Sequence, residues 1–399
     1  MKREFADILI SGGGLAGLVA AAALGHAGFS VLLVDPAPPV TDGEAAGSDL
    51  RSTAYLQPAR ALFEEIGLWP RLAPFAVPLE ALRVVDTADD PPRPRDERVF
   101  RPEDMGHETF GWNFLNWLTR REFLAFLRDH PRIELRYGVG FGAMLARGSG
   151  AIVTLSDGTR VDARLVVGAD GRDSAVREAA GIGVHTIRYG QKSLAFTATH
   201  DLPHGNVSTE IYHRGGPFTM VPLQQVQGRA ASAIVWMNRG PRSLRLLEME
   251  PRAFNAEMTR RSAGLLGQLS LASRRGIFPI ITRTARRLTA ERTVLIAEAA
   301  HVLPPIGAQG LNTSLNDIRA LRDAALANPA ALGSPAMLAA FARARRADIC
   351  RRACVIDLFN RVTRSGNPGL QDLRLAGLKA VHDVPPLRRL VMRAGMGPL

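Results

Sequence analysis

Residues 6–35 read ADILISGGGLAGLVAAAALGHAGFSVLLVD, and their reading decides the fold. From Ile8 to Val34 there is no Asp, Glu, Lys or Arg, and MKREF precedes the run, so it mimics a signal peptide or a membrane span. The glycines argue otherwise. Gly12, Gly13, Gly14 and Gly17 interrupt the run after a short β-branched strand, an apolar helix follows, and a second strand, FSVLLVD, ends in an acid. This is a βαβ unit with the spacing Gly12-x-Gly14-x-x-Gly17 and Asp35 eighteen residues further on. Gly12 serves a tight turn, Gly14 lets a pyrophosphate approach the backbone, and Gly17 lets the helix pack on the strand. The helix start then faces phosphates, while Asp35 can accept hydrogen bonds from a ribose. Dinucleotide binding is the expectation.

Two other strands run into glycine-rich turns. LVVGADGRDSAVR carries Asp170, Gly171, Ser174 and Arg177, where Asp170 is expected to cap a helix and Arg177 to offer a fork for phosphate or carboxylate. LIAEAAHVLPPIGAQGLN (295–312) ends a strand in Glu298, then places His301, Pro304, Pro305, Gly307 and Gly310 before a helix. Backbone N–H groups at 310–312, opening that helix, can stabilise negative charge there. Glu298-x-x-His301 has the spacing of a di-iron ligand pair, but no second such motif occurs, so no metal is expected and His301 is read as a packing histidine. His200 and His204 are placed at a β-turn.

Between these motifs, Asp157-Gly158 marks a hairpin, and 194–237 alternates like an antiparallel sheet. Residues 40–60 read as a loop entering a helix, 86–106 as a polar surface excursion without much structure, NWLTRREFLAFLRDH as a helix, and 245–272 as helical; GIFPIITRTARRLTAERTVLIAEAAH is expected to return to the first domain.

The net charge of +12 comes from 50 basic against 38 acidic residues, and only Lys2, Lys192 and Lys379 are lysines. Residues 341–399 hold 12 Arg/Lys against four Asp, mixed with apolar residues. Such a tail suits an anionic membrane surface or an acidic partner. Neither aromatic interleaving nor zinc-finger spacing speaks for nucleic acid. Cys350 and Cys354, one helical turn apart, are expected to be small buried hydrophobes in a reducing, cytoplasmic setting.

Taken together, the three glycine-rich stretches resemble the single-component FAD aromatic monooxygenases with a para-hydroxybenzoate-hydroxylase-like fold, from residue 7 to about 350. EAAHVLPPIGAQGLN, GPFTMVPL and FARARRADICRRACVIDLFNR with its basic tail are most similar to the ubiquinone-biosynthesis hydroxylases. The resemblance implies an α/β fold: a Rossmann-like FAD-binding domain, an inserted antiparallel β-sheet substrate domain and a helical C-terminal region. The FAD-binding domain is expected in three parts, 1–77, 113–183 and 276–345. The substrate lobe is expected at 78–112 and 184–275, with 346–399 as the basic helical region.

By the same resemblance, Gly12, Gly14, Gly17, Asp35, Arg51, Arg121, Asp170, Gly171, Glu298, Gly310, Leu311 and Asn312 contact FAD, and Pro304 and Pro305 flank its ring. Arg51 faces the ribityl and phosphate side, Arg121 the adenine–pyrophosphate region. The family usually has Gly-Asp where this chain has Ala297-Glu298; Glu298 is still expected to face the ribityl chain. Implied chemistry is hydroxylation of the ring of a polyprenylated ubiquinone precursor through a flavin C4a-hydroperoxide, with NAD(P)H and O2. The protein is expected to be cytoplasmic and peripheral to the inner membrane. Its expected partners are the lipid-like substrate, the membrane surface and other ubiquinone-biosynthesis proteins. Hydroxylation of a small soluble aromatic acid, and a flavin-poor scaffold role, are the other readings.

Overall fold

The computed structural model describes residues 4–396, so the first three residues of the first segment and the last three of the basic tail lie outside the described residues. The fingerprint strand Glu4–Ser11 lies at the centre of a sheet, flanked in parallel by Val31–Asp35 on one side and Arg160–Gly168 on the other. Ile133–Tyr137 and Thr293–Leu295 extend it in parallel at either side. The stretches Ile8–Ile10, Val31–Val34 and Leu165–Val167 read as continuous apolar runs because both faces are covered there. The helices Leu15–His26 and Gln309–Ala327 contribute Leu18, Val19, Leu315 and Ile318 to that core. All three glycine-rich turns therefore leave the carboxyl ends of neighbouring strands, where open α/β sheets bind ligands.

A second, nine-stranded sheet is built around the antiparallel strands Val184–His200, Arg229–Arg239 and Phe218–Val226. The helices Gly240–Glu248 and Pro251–Arg261 cover one face, packing on Phe196, Ile211 and Trp236 through Leu246, Phe254 and Met258. A small sheet of Ser52–Leu56, Val77–Pro78 and Gly111–Leu115 lies between.

Several expectations are corrected. Residues 86–106 are not structureless: Ala81–Ala88 and Arg93–Phe100 form a hairpin at the edge of the second sheet. An edge strand keeps most side chains in solvent, so its sequence reads polar. Residues 40–60 hold the strand Ser52–Leu56 before their helix. Gly276–Ala285 pairs with Val184–Ala195 in the second sheet, so the chain returns to the first only at Thr289–Leu295. No boundary falls at 345–346, which lies inside the helix Pro335–Thr363. On that helix Ile349, Ala353 and Ile356 face inward, which turns Cys350 and Cys354 outward; both are exposed thiols. Periodicity alone left the phase open by one residue.

Candidate active site

The first turn is shaped by close contacts. Gly12 has φ +112°, and a Cβ on it would lie 2.4 Å from the Ala169 carbonyl oxygen. On Gly17 a Cβ would lie 1.9 Å from the Gly12 oxygen, so the helix can approach only without one. Gly14 occupies the N-cap of Leu15–His26, with no side chain capping it and open space above. The N–H groups of the first turn thus stay available to an anion. Asp35 accepts hydrogen bonds from the Gly13 N–H at 2.6 Å and the Ala37 N–H at 2.9 Å.

Arg121 goes elsewhere than expected. Its guanidinium bonds Glu122 at 2.9 Å and lies over the Phe75 and Trp117 rings. Its neighbour Arg120 is the one directed to the fingerprint side: its charge acts on Tyr137, which lies against Gly13 and Asp35. Both the Arg120 Nε and the Tyr137 hydroxyl are buried without a partner. Burial, and then the Asp35 charge, push the Tyr137 phenol up to about 12. The signal was present in the sequence, because buried Phe123, Leu124 and Leu127 stand three, four and seven residues after Arg120.

In the second turn, Ser174 rather than Asp170 caps the helix Ala175–Ala179, accepting the Arg177 N–H at 3.0 Å. Asp170 accepts the Val176 N–H at 3.1 Å through one oxygen, while the other is buried and unpaired. Arg177 is not an open fork. Buried, it donates to the Ala299 carbonyl at 3.1 Å and so bolts the second turn to the third.

The third stretch passes from one sheet to the other. Thr293–Leu295 closes the first sheet, Ala297–Ala300 makes one helical turn, and His301-Val302 pairs with Arg283-Thr284 in the second. Ala297 has φ +54°, which is why glycine is usual there. The turn is held by a buried network. Asp317 accepts the Ala297 N–H at 3.1 Å, His301 Nε2 at 2.6 Å and Arg345 Nε at 2.8 Å. Burial would raise the Asp317 carboxyl, but His301 and Arg345 overcome it and hold the group below the usual carboxylate range. Beyond it, Pro304 is buried, whereas Pro305, Gly307 and Gly310 are exposed. Gln309–Ala327 starts with Ala308 at φ +55° and no side-chain cap, leaving its first N–H groups unspent, those of Gly310 and Leu311 among them. Asn312 is occupied within the protein. Its side chain accepts from the Leu56 N–H and donates to the Ala54 and Ala308 carbonyls, tying the small sheet to this helix.

Glu298 is half-exposed, 3.6 Å from Arg172. Arg51 is gripped by both oxygens of Asp49, at 2.8 and 2.7 Å, and stacks 4.7 Å over Phe278; the Glu298 charge also acts on it. Arg51, Arg172 and Glu298 therefore neighbour one another beside the third turn. Among the described residues no group of three or more His, Cys, Asp or Glu could hold a metal ion. His200 instead bonds Leu202 and Ser232, and His204 the Leu223 carbonyl.

These features fit FAD: two uncapped helix starts, orphaned buried groups on Arg120, Tyr137 and Asp170, and turns in which a Cβ would block approach. Comparison with known proteins agrees. The family described as FAD binding domain matches residues 6–353. Ubiquinone hydroxylase UbiL of Rhodospirillum rubrum is 34% identical over 99% of this chain and 90% of its own. The 3-demethoxyubiquinol 3-hydroxylase of Escherichia coli is 26% identical over the whole of both chains. In fold, p-nitrophenol 4-monooxygenase PnpA from Pseudomonas putida superposes over all of both chains with a TM-score of 0.80 at 17% identity. The family match and the full-length relatives reach beyond shared architecture, and the chain belongs to the FAD-binding-domain family.

Proposed function

We propose that the protein hydroxylates the aromatic ring of a polyprenylated ubiquinone precursor, using FAD, NAD(P)H and O2, at a membrane surface. The observation that carries the substrate class is an apolar seam between two packed layers. Val84, Phe100, Tyr212 and Met392 form a buried cluster, joined by Leu378 and Val381, between the second sheet and the C-terminal helices Pro368–Asp383 and Pro385–Met396. Outside it, Leu373 and Leu390 are 59% and 66% exposed among arginines. In this reading an isoprenoid chain parts that seam, and a basic, apolar rim suits an anionic bilayer. No described helix is long and apolar enough to cross a membrane. The two full-length relatives are named for ubiquinone-type quinones and quinols, which supports the same substrate class.

In this reading Gly12, Gly14 and Gly17 form the pyrophosphate cradle, and Asp35 with Arg120 lies at the adenosine end. Arg51 and Glu298 address the ribityl chain, and the amides of Gly310 and Leu311 the flavin ring. Bound FAD, reduced by NAD(P)H, supplies the activated oxygen that an electron-rich ring accepts. The protein orients the ring, keeps water out through the covering second sheet, and offers helix-start amides to developing negative charge.

Deletion of the gene, with mass spectrometry of the accumulated quinone precursors, tests the proposal. A precursor lacking one hydroxyl is expected. Purified protein that stays colourless with added FAD would overturn it. Full turnover of a short-chain phenol by a protein lacking 365–399, with no lipid precursor accumulating, would point to a small soluble aromatic acid instead.

A further inference from the structure

The three grips on FAD leave one polar pair beside the third turn without a role. In the strand Val207–Tyr212, Ile211 packs into the core under the two covering helices, so Glu210 and Tyr212 point to the opposite face, toward the third turn. The Tyr212 hydroxyl donates to Glu210 Oε2, and the Gly307 N–H donates toward the same carboxylate. Gly307 belongs to the Pro305–Gly310 loop that leads to the uncapped helix. Tyr212 in turn belongs to the apolar cluster proposed as the path of the isoprenoid chain.

Resting on the hydroxylase reading above, we propose that Glu210 is the base that takes the proton from the substrate's phenol oxygen, with Tyr212 as its positioning residue. The O–H bond of the phenol breaks, a new O–H bond forms on the Glu210 carboxylate, and the electron pair stays on the phenol oxygen. The ring carbons ortho and para to that oxygen thereby become more nucleophilic, and no oxidant is consumed in this step.

The surroundings suit a base. Burial raises the Glu210 carboxyl, and the Tyr212 and Gly307 bonds offset that only in part; no cation is among the influences on it. A base is most effective when it titrates near the working pH. Nearby charges are spent elsewhere. Arg374, stacked 5.9 Å from the Tyr212 ring centre, pairs with Asp86, which Arg95 also binds at 2.6 Å. His213 bonds Thr87 and is pushed down to about 4 by burial and then Arg261, so it is neutral in the working range. Arg261 donates to the carbonyls of Ile211 and Gly216.

The test uses FAD-loaded full-length protein and a phenol carrying a short prenyl chain. Glu210→Gln is expected to keep its FAD and its reduction by NAD(P)H, and to lower kcat for hydroxylation about 100-fold or more, with KM little changed. An acid limb in the kcat–pH profile, set by protonation of the Glu210 carboxylate, is expected in wild type and is expected to vanish in Glu210→Gln. In Tyr212→Phe the carboxylate loses a donor, so its pKa rises and the acid limb of the kcat–pH profile moves to higher pH. A wild-type hydroxylation rate with its acid limb kept in Glu210→Gln would overturn the proposal, as would an unmoved acid limb in Tyr212→Phe if the first variant fails to load FAD. Wild-type protein that loads FAD but never hydroxylates the phenol overturns the hydroxylase reading, whereas a wild-type rate kept in Glu210→Gln overturns the base alone.

Discussion

At the scale of single residues, the two departures from the family pattern have opposite weights. Ala297 replaces glycine at a left-handed position, φ +54°, where a Cβ costs about 1–2 kcal/mol. Part of that is returned because alanine loses less entropy on folding than glycine. Ala297→Gly is therefore expected to stabilise by about 0.5–1 kcal/mol, a rise in Tm of about 1–3 °C by calorimetry, with turnover unchanged. Glu298 is one methylene longer than the usual aspartate but stays beside Arg172, and its charge reaches Arg51. If it bonds the ribityl chain, Glu298→Gln weakens FAD binding about tenfold by flavin-fluorescence titration, the worth of one charge-assisted hydrogen bond. An unchanged Kd removes Glu298 from the FAD contacts. Arg121 shows how residue-level reading fails. Two adjacent arginines are chemically equivalent on paper, and only the buried stripe of Phe123, Leu124 and Leu127 selects Arg120.

Elements decide what the residues can do. The fingerprint works because a strand end and a helix start meet at near-contact distance, so Gly17→Val must push the helix off the Gly12 carbonyl. Loss of at least about 2 kcal/mol in urea unfolding and of bound FAD after purification is expected. The third turn depends on the helices behind it. Asp317 and Arg345 come from two different helices, and with His301 they hold the turn between the sheets. Because the Asp317 carboxyl lies below its unfolded value, its contribution is fully present above about pH 4 and is lost as pH falls through the folded value. Asp317→Asn leaves Arg345 buried with a lost ion pair. It should cost about 3–5 kcal/mol at pH 7, the gap from wild type narrowing below about pH 4 in urea titrations. The partners of Asp317 were not legible, since His301 and Arg345 stand 16 and 28 residues away with nothing local to join them.

At the scale of the whole molecule, the charge and the exposed apolar side chains converge on the C-terminal helices. Leu373 and Leu390 are exposed there among Lys379, Arg389 and Arg393. Each basic residue near an anionic bilayer adds about 1 kcal/mol of attraction, so binding to vesicles containing phosphatidylglycerol should weaken with salt. The double change Leu373→Asp and Leu390→Asp should lower vesicle co-sedimentation about tenfold or more while leaving turnover of a short-chain phenol in place; unchanged binding would remove the membrane from the reading. The sequence by itself determined the βαβ unit, the three glycine-rich turns and the antiparallel character of 194–237. Those features are local: hydrophobic period, turn chemistry and spacing are set within a few residues of one another. Only the tertiary structure decided that the edge hairpin 81–100 joins the second sheet, and that Cys350 and Cys354 face outward. It alone set Glu210 against Gly307. Each of these depends on which distant segment packs against a face, and burial against a partner far along the chain leaves no local mark on the sequence.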